Sequence, residues 1–154
     1  MKEINTKNYN LKRNIQLAFR RHLAGVSIKS KYKDVFPHSA REYIQHFEAI
    51  RQGYINKPHE YDHIIPVCFF DLTNINELRL AYSKFNISIT SRAKNKIKGV
   101  NVDTQTIVRY FEYMDLITQR RYSKTLNILI EKAKSIQSEN YLNKIIWPQT
   151  SLAV

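Results

Sequence analysis

The chain has 154 residues and carries 25 Lys and Arg against 13 Asp and Glu, a formal net charge of +12. Its one cysteine, Cys68, excludes a disulfide framework and a zinc site built from cysteines. No run approaches the roughly 18 uninterrupted apolar residues of a membrane helix, and no apolar secretion signal opens the chain. With 43% hydrophobic residues we expect one folded, cytoplasmic domain over residues 1–154, without membrane association.

The positive charge is concentrated in two segments. Residues 1–38 hold nine basic and two acidic side chains, and residues 61–100 hold six basic and three acidic ones. Clustered basic charge is typical of a protein that binds a polyphosphate, although a merely soluble basic protein also fits. The side chains that we predict to contact nucleic acid are Lys12, Arg13, Arg20, Arg21, Lys29, Lys31, Lys33, Arg92, Lys94 and Lys96.

The first predicted element is a basic helix over residues 8–24. Leu11, Ile15 and Ala18 follow the i, i+4, i+7 spacing of one buried helix face. Gly25 stands where a helix commonly ends with a left-handed residue. The short basic segment that follows is predicted to be a loop, which either lies along a phosphate backbone or is a solvated linker.

A second helix is predicted to begin after Ser39. Ser39 and Glu42 have the spacing of a capping box, in which the serine side chain and the glutamate side chain each bond to the other residue's backbone N–H. Tyr43 and Phe47 lie one helical turn apart, and we interpret both as core residues. Gly53 predicts the end of this helix.

The middle of the chain is predicted to form two short strands joined by a long connection. Residues 61–66 are rich in β-branched and aromatic side chains, and residues 85–90 alternate apolar and polar ones. A brief helix over residues 76–84 separates the strands, and another helix over residues 92–98 follows them. The sequence after residue 101 predicts two or three more helices, with a break near residues 119–123.

These elements predict an α+β fold in which each segment has its own task. Residues 1–38 form a basic helix and loop for contact with a polyphosphate, and residues 39–100 form the central core. Residues 101–154 form a helical extension. No internal repeat and no linker rich in Gly, Ser or Pro separates them, so a single domain is the simplest organisation.

Four polar residues in the middle of the chain have the chemistry to hydrolyse a phosphodiester. This reaction needs an activated water and a cation that absorbs charge on the phosphate. Asp62 and Asn95 offer oxygen ligands, which suit Mg²⁺ or Mn²⁺ better than zinc. His63 is a natural proton acceptor near neutral pH, but on a strand it faces away from Asp62 unless the strand twists. Asn86 could hold either the His63 ring or the intervening loop by hydrogen bonds.

The strings DHIIP, FDL and NKIKG, with one asparagine nine positions before another, resemble the HNH endonuclease family. The phage-encoded and homing-endonuclease-like members are the most similar, and the resemblance covers residues 37–99. It implies a compact ββα-metal core with a short antiparallel β-hairpin. It also implies a monomer or homodimer that cleaves DNA, most simply double-stranded DNA, in the cytoplasm (that of the host cell if phage-encoded).

The resemblance also implies a role for each motif residue. Asp62 and Asn95 would hold Mg²⁺, Mn²⁺ or another divalent cation, and His63 would act as general base. Asn86 would position that base, and Lys98 would contact a phosphate. The chain departs from the family in having NISITS where NL-x-PL is usual, and it lacks the paired cysteines of some members, so no structural zinc is expected.

Two other interpretations remain. An HNH fold without catalysis would serve as a DNA-binding or packaging accessory protein. The string from His59 to His63, HEYDH, also matches the HExxH signature of zinc metalloproteases. That signature requires a helix, whereas Pro58 precedes the string and an Ile-Ile-Pro sequence follows it, so we rank this interpretation last.

Overall fold

The structure combines five α-helices with one two-stranded antiparallel sheet in the part of the chain that it describes. This computed structural model describes residues 2–54, 58–91, 93–94 and 102–138. The helices are α1 (Lys2–Leu23), α2 (Ala40–Arg51), α3 (Ile75–Ala81), α4 (Thr104–Ile117) and α5 (Ser123–Ser138). The strands are β1 (Glu60–His63) and β2 (Ile87–Thr90), and short 3-10 turns occupy Ser30–Tyr32, Gln52–Tyr54, Val67–Phe69 and Lys84–Asn86. The α+β class predicted from the sequence is confirmed.

The first helix packs one stripe of side chains into the core and ends where the sequence predicts. Ile15 and Ala18 are buried, and Leu11 packs against the same apolar cluster. Gly25 has a φ of 66°, the left-handed conformation that glycine adopts without steric cost. The N–H of Val26 bonds to the carbonyl of Arg21, and that of Gly25 to the carbonyl of His22. These two bonds are the Schellman motif, which satisfies the last carbonyl groups of a helix.

The second helix begins with the predicted capping box. The backbone N–H of Glu42 donates to Ser39 Oγ at 3.2 Å, and the backbone N–H of Ser39 donates to Glu42 Oε2 at 2.8 Å. Tyr43 and Phe47 are buried, which confirms that they are core residues. The helix ends at Arg51, and a 3-10 turn continues the chain past the predicted end.

The two strands pair antiparallel and pack against α2. The paired residues are Glu60 with Thr90, Tyr61 with Ile89, Asp62 with Ser88, and His63 with Ile87. The Phe47 ring lies 4.6 Å from the Tyr61 ring between centroids, and the Ile87 and Ile89 side chains are buried. A segment of 23 residues, 64–86, joins the strands and contains α3. The hairpin predicted for this core is therefore an antiparallel pair with a long, partly helical connection.

The last two described helices pack against each other across a tight turn. Phe111 and Met114 of α4 and Leu126 and Leu129 of α5 are all buried. Two residues of the turn, Gln119 and Arg120, adopt positive φ angles of 51° and 60°, as the chain reverses at the predicted break. The third helix suggested by the sequence lies outside the described residues.

A continuous apolar cluster connects all five helices with the start of β2. It includes Ile15 in α1, Tyr43 in α2, Leu80 in α3, Phe111 in α4 and Leu129 in α5. The connection between the strands also contributes, with Ile65 among its fully buried side chains. None of the described helices is long and apolar enough to span a membrane.

His38 should make the fold less stable in mild acid. Its ring lies edge-on to Tyr43 and Phe85, and its Nε2 atom is 3.3 Å from Ser83 Oγ. Burial, helped by the nearby Lys84 cation and opposed by Glu42, lowers the pKa of His38 from 6.5 to about 4. Between these two values the unfolded chain binds a proton that the folded chain does not, so the free energy of unfolding falls as the pH falls.

Urea denaturation at pH 7.5 and pH 5 would measure this loss. His38→Gln should lose less stability than the wild type between the two pH values, because glutamine does not titrate. Above about pH 7.5 His38 is neutral in both the folded and the unfolded chain, so the difference in stability between the two proteins should stay constant there. An equal loss in both proteins would contradict the prediction.

Candidate functional site

Asn86 is a buried polar side chain that makes three hydrogen bonds. It is only 1% exposed and ends the 3-10 turn before β2. Its Oδ1 accepts from the N–H of Ile65 at 2.9 Å, and its Nδ2 donates to the carbonyls of Ile65 at 3.1 Å and Ala81 at 2.9 Å. The backbone carbonyl of Asn86 also accepts from the N–H of Ile64 at 2.8 Å. Asn86 therefore binds the two residues that directly follow His63.

These bonds explain why β1 ends at His63 instead of continuing to Pro66 as the sequence predicts. Ile65 directs both of its backbone polar groups to the Asn86 side chain, which takes the place of a neighbouring strand. Pro66 has no N–H to donate. Of the two tasks that the sequence left open for Asn86, its side-chain hydrogen bonds serve the second, which is to hold the loop.

Asp62 and His63 are the last two residues of β1, and both side chains are partly exposed. Asp62 lies opposite Ser88 and His63 lies opposite Ile87. Because neighbouring residues of a strand face opposite sides, Asp62 and His63 lie on different faces of the sheet. The His63 ring packs edge-on against Tyr82 at 5.3 Å between centroids, and its Nε2 atom is buried.

Several predicted site residues lie outside the described residues. They are Asn95, Lys98, Arg92 and Lys96. Lys94 is described, is exposed and belongs to a helical stretch, and its backbone N–H donates to Ser91 Oγ at 3.2 Å. A serine hydroxyl that accepts from the third residue after it is the usual helix N-cap. Residues 93 and 94 are the described part of the helix predicted over residues 92–98, and both are helical.

The other predicted nucleic-acid contacts are all exposed. They are Lys12, Arg13, Arg20 and Arg21 on α1, and Lys29, Lys31 and Lys33 on the following loop and turn. With about 3.6 residues per turn, Arg13 and Arg20 lie opposite the buried stripe of α1, and Lys12 and Arg21 lie on either side of them. Lys31 places its Nζ atom 4.9 Å from the centre of the Tyr32 ring. The outer face of α1 therefore presents positive charge to solvent.

Glu77 is a structural residue of this region that sequence reasoning missed. It is largely buried, and its Oε2 accepts from the backbone N–H of Asp71 at 2.7 Å. Asn74 caps α3 by accepting from the N–H groups of Asn76 and Glu77. Asn74 and Glu77 have the same spacing as Ser39 and Glu42, so this pattern in the sequence could have identified Glu77. Here the glutamate holds the loop before the cap.

The segment that reads HEYDH has a geometry that a zinc metalloprotease cannot use. Glu60–His63 is a strand, in which four residues span about 13 Å, whereas the protease signature needs one helical face. Among the described residues, no three His, Cys, Asp or Glu side chains form a group that could hold a metal ion. The predicted pair of Asp62 and Asn95 is a smaller set of oxygen ligands, and only Asp62 of this pair is described.

Comparison of the chain with protein-family models, curated proteins and solved structures gives no match in any of the three. The HNH resemblance therefore stays a prediction from the sequence motifs. The geometry adds two facts to that prediction. Asp62 and His63 stand at the end of a paired strand, and Asn86 is bonded to the residues directly after them.

Proposed function

We propose that the protein is a metal-dependent HNH endonuclease that hydrolyses phosphodiester bonds in DNA. The observation that carries the proposal is the buried Asn86 side chain, which bonds to Ile65 and so holds the chain just after Asp62 and His63. A catalytic pair needs such support, because small displacements of reacting groups cost large factors in rate. Asn86 thus contacts the residues that directly follow Asp62 and His63. The mechanism also requires the end of β1 to twist, so that both side chains reach the same phosphate.

Asp62 and Asn95 are the residues that we assign to a divalent cation such as Mg²⁺ or Mn²⁺. Their donor chemistry fits, because a hard cation prefers carboxylate and amide oxygens and often takes only one or two of them from the protein. Asp62 is partly exposed at the end of β1, where ligand waters have access. When bound, the cation supplies charge stabilisation to the phosphate and to the leaving oxygen.

His63 is the general base in this proposal. Its Nε2 atom is buried, so we assign proton transfer from the attacking water to Nδ1. The water oxygen forms a bond to phosphorus while the bond from phosphorus to the 3′ oxygen breaks. The Tyr82 ring packed against His63 and the loop held by Asn86 restrict the imidazole in this position. Lys98 would contact the phosphate.

The proposed DNA surface is the positive face of α1 together with the loop that follows it. Arg13, Arg20 and their neighbours are exposed there and can follow a phosphate backbone without reading bases. Double-stranded DNA is the substrate that we propose. A monomer has one site and would nick one strand, whereas a double-strand break needs a homodimer or two events.

A plasmid-nicking assay tests the proposal. Supercoiled DNA should be converted to relaxed circles in Mg²⁺ or Mn²⁺ and should stay supercoiled in EDTA. Cleavage that persists in EDTA would exclude a metal-dependent mechanism. Protein that binds DNA but never nicks it in Mg²⁺, Mn²⁺ or Ni²⁺ would instead support the non-catalytic accessory protein.

A further inference from the structure

A cavity of about 510 Å³ lies apart from the residues of the proposed nuclease site. Three segments that are distant in sequence form it: the loop after the Ser30–Tyr32 turn, helix α3, and the turn that leads into α5. Asp62, His63 and Asn86 do not line it. Ligand pockets commonly enclose about 300–1,000 Å³, so this cavity is large enough for a nucleotide-sized group.

Four basic side chains line the cavity against one acidic side chain. The basic ones are Lys33, Arg79, Arg121 and Lys124, and the acidic one is Asp34. In the part of the chain that the structure describes, none of the four basic side chains forms a salt bridge. Four positive charges that face a single negative charge repel each other, and a bound anion would reduce that repulsion.

The geometry of the cavity suits a phosphate group. The Nε atom of Arg79 donates to the backbone carbonyl of Asp34 at 2.9 Å, which fixes the direction of the guanidinium group. A planar guanidinium matches two phosphate oxygens at once. Lys124 and Thr125 belong to the first turn of α5, a helix of 16 residues whose N-terminal end favours negative charge.

We propose that this cavity binds a backbone phosphate of the nucleic-acid strand at a position outside the cleavage site. The inference rests on the proposed function in taking nucleic acid as the partner, but it does not depend on cleavage. Lys33 belongs both to the cavity and to the proposed DNA surface, because it lines the cavity and lies in the basic segment that holds Lys29 and Lys31. A strand that follows that segment would meet Arg121 and Lys124, which line the same cavity.

The test compares two variants that lose the same charge. Arg121→Gln with Lys124→Gln neutralises the cavity, and Arg41→Gln with Arg109→Gln neutralises two exposed residues elsewhere. Binding to a labelled DNA duplex is measured in EDTA over a series of KCl concentrations, so cleavage plays no part. For each phosphate that the protein no longer neutralises, the slope of log K against log [salt] should become shallower by about 0.9.

We expect a shallower slope for the cavity variant alone, by about 0.9 to 1.8 if it neutralises one or two phosphates fewer than the wild type. A wild-type slope in the cavity variant, or an equal change in both variants, would overturn the proposal. Titration of the wild type with inorganic pyrophosphate tests whether the cavity binds a small phosphate compound instead of a DNA phosphate. Pyrophosphate binding combined with an unchanged DNA slope in the cavity variant would assign the cavity to a small phosphate compound and would also overturn the proposal.

Discussion

His63→Ala should reduce the rate of plasmid nicking by about 10²–10⁴-fold, the usual contribution of a general base. DNA binding should stay at the wild-type level, because the proposed phosphate contacts lie on other residues. Single-turnover nicking in Mg²⁺ and duplex binding in EDTA measure the two quantities separately. Thermal unfolding of the variant is needed as well, since the His63 ring packs against Tyr82.

The matched control is His59→Ala, which changes the other histidine of the HEYDH string. The proposed mechanism gives His59 no task, so this variant should nick DNA at close to the wild-type rate. A zinc site of the HExxH type would need both histidines, so equal loss in the two variants would count against the proposal. Nicking by a folded His63→Ala protein at the wild-type rate would show that His63 is not the base.

Asn86→Ala should lower the free energy of unfolding by about 3–9 kcal/mol, because it leaves three buried polar groups without a partner and each costs about 1–3 kcal/mol. The groups concerned are the N–H and carbonyl of Ile65 and the carbonyl of Ala81, and both of these residues are fully buried. Typical domains are stable by about 5–15 kcal/mol, so this change removes a large share of the total. Urea denaturation at pH 7.5 measures the loss.

Asn127→Ala provides the control for Asn86→Ala. Asn127 is exposed on α5, and its replacement should change stability by less than about 0.5 kcal/mol. A loss below about 1 kcal/mol in Asn86→Ala would mean that the loop after β1 does not depend on this side chain. Where the variant is still folded at low temperature, its nicking rate should also fall, because His63 would no longer be held in position.

The features predicted well from the sequence depend on residues close together in the chain. The capping box of α2 needs only Ser39 and Glu42, and the end of α1 needs only Gly25 and its neighbours. The break between α4 and α5 was visible from the interruption of apolar spacing. Such local features follow directly from backbone sterics and short-range hydrogen bonds.

The features that could not be predicted depend on contacts between distant segments. The end of β1 is set by Asn86, which lies 21 positions from Ile65. The basic cavity needs Lys33, Arg79 and Arg121 to converge, and nothing in their local sequence indicates that they do. Ile44 is apolar and follows the buried Tyr43 in α2, yet it is 43% exposed, because the neighbouring elements cover only part of that helix.

The bonds between Asn86 and Ile65 join the two ends of the connection between the strands. They close a loop whose ends stay together whatever the length of chain between them. Closing a flexible loop of twice the length costs only about 0.6 kcal/mol more. Insertions in the surface part of this connection can therefore alter what the protein contacts while the placement of Asp62 and His63 is preserved. The asparagine thus makes the position of the strand ends independent of the length of the surface part of this connection.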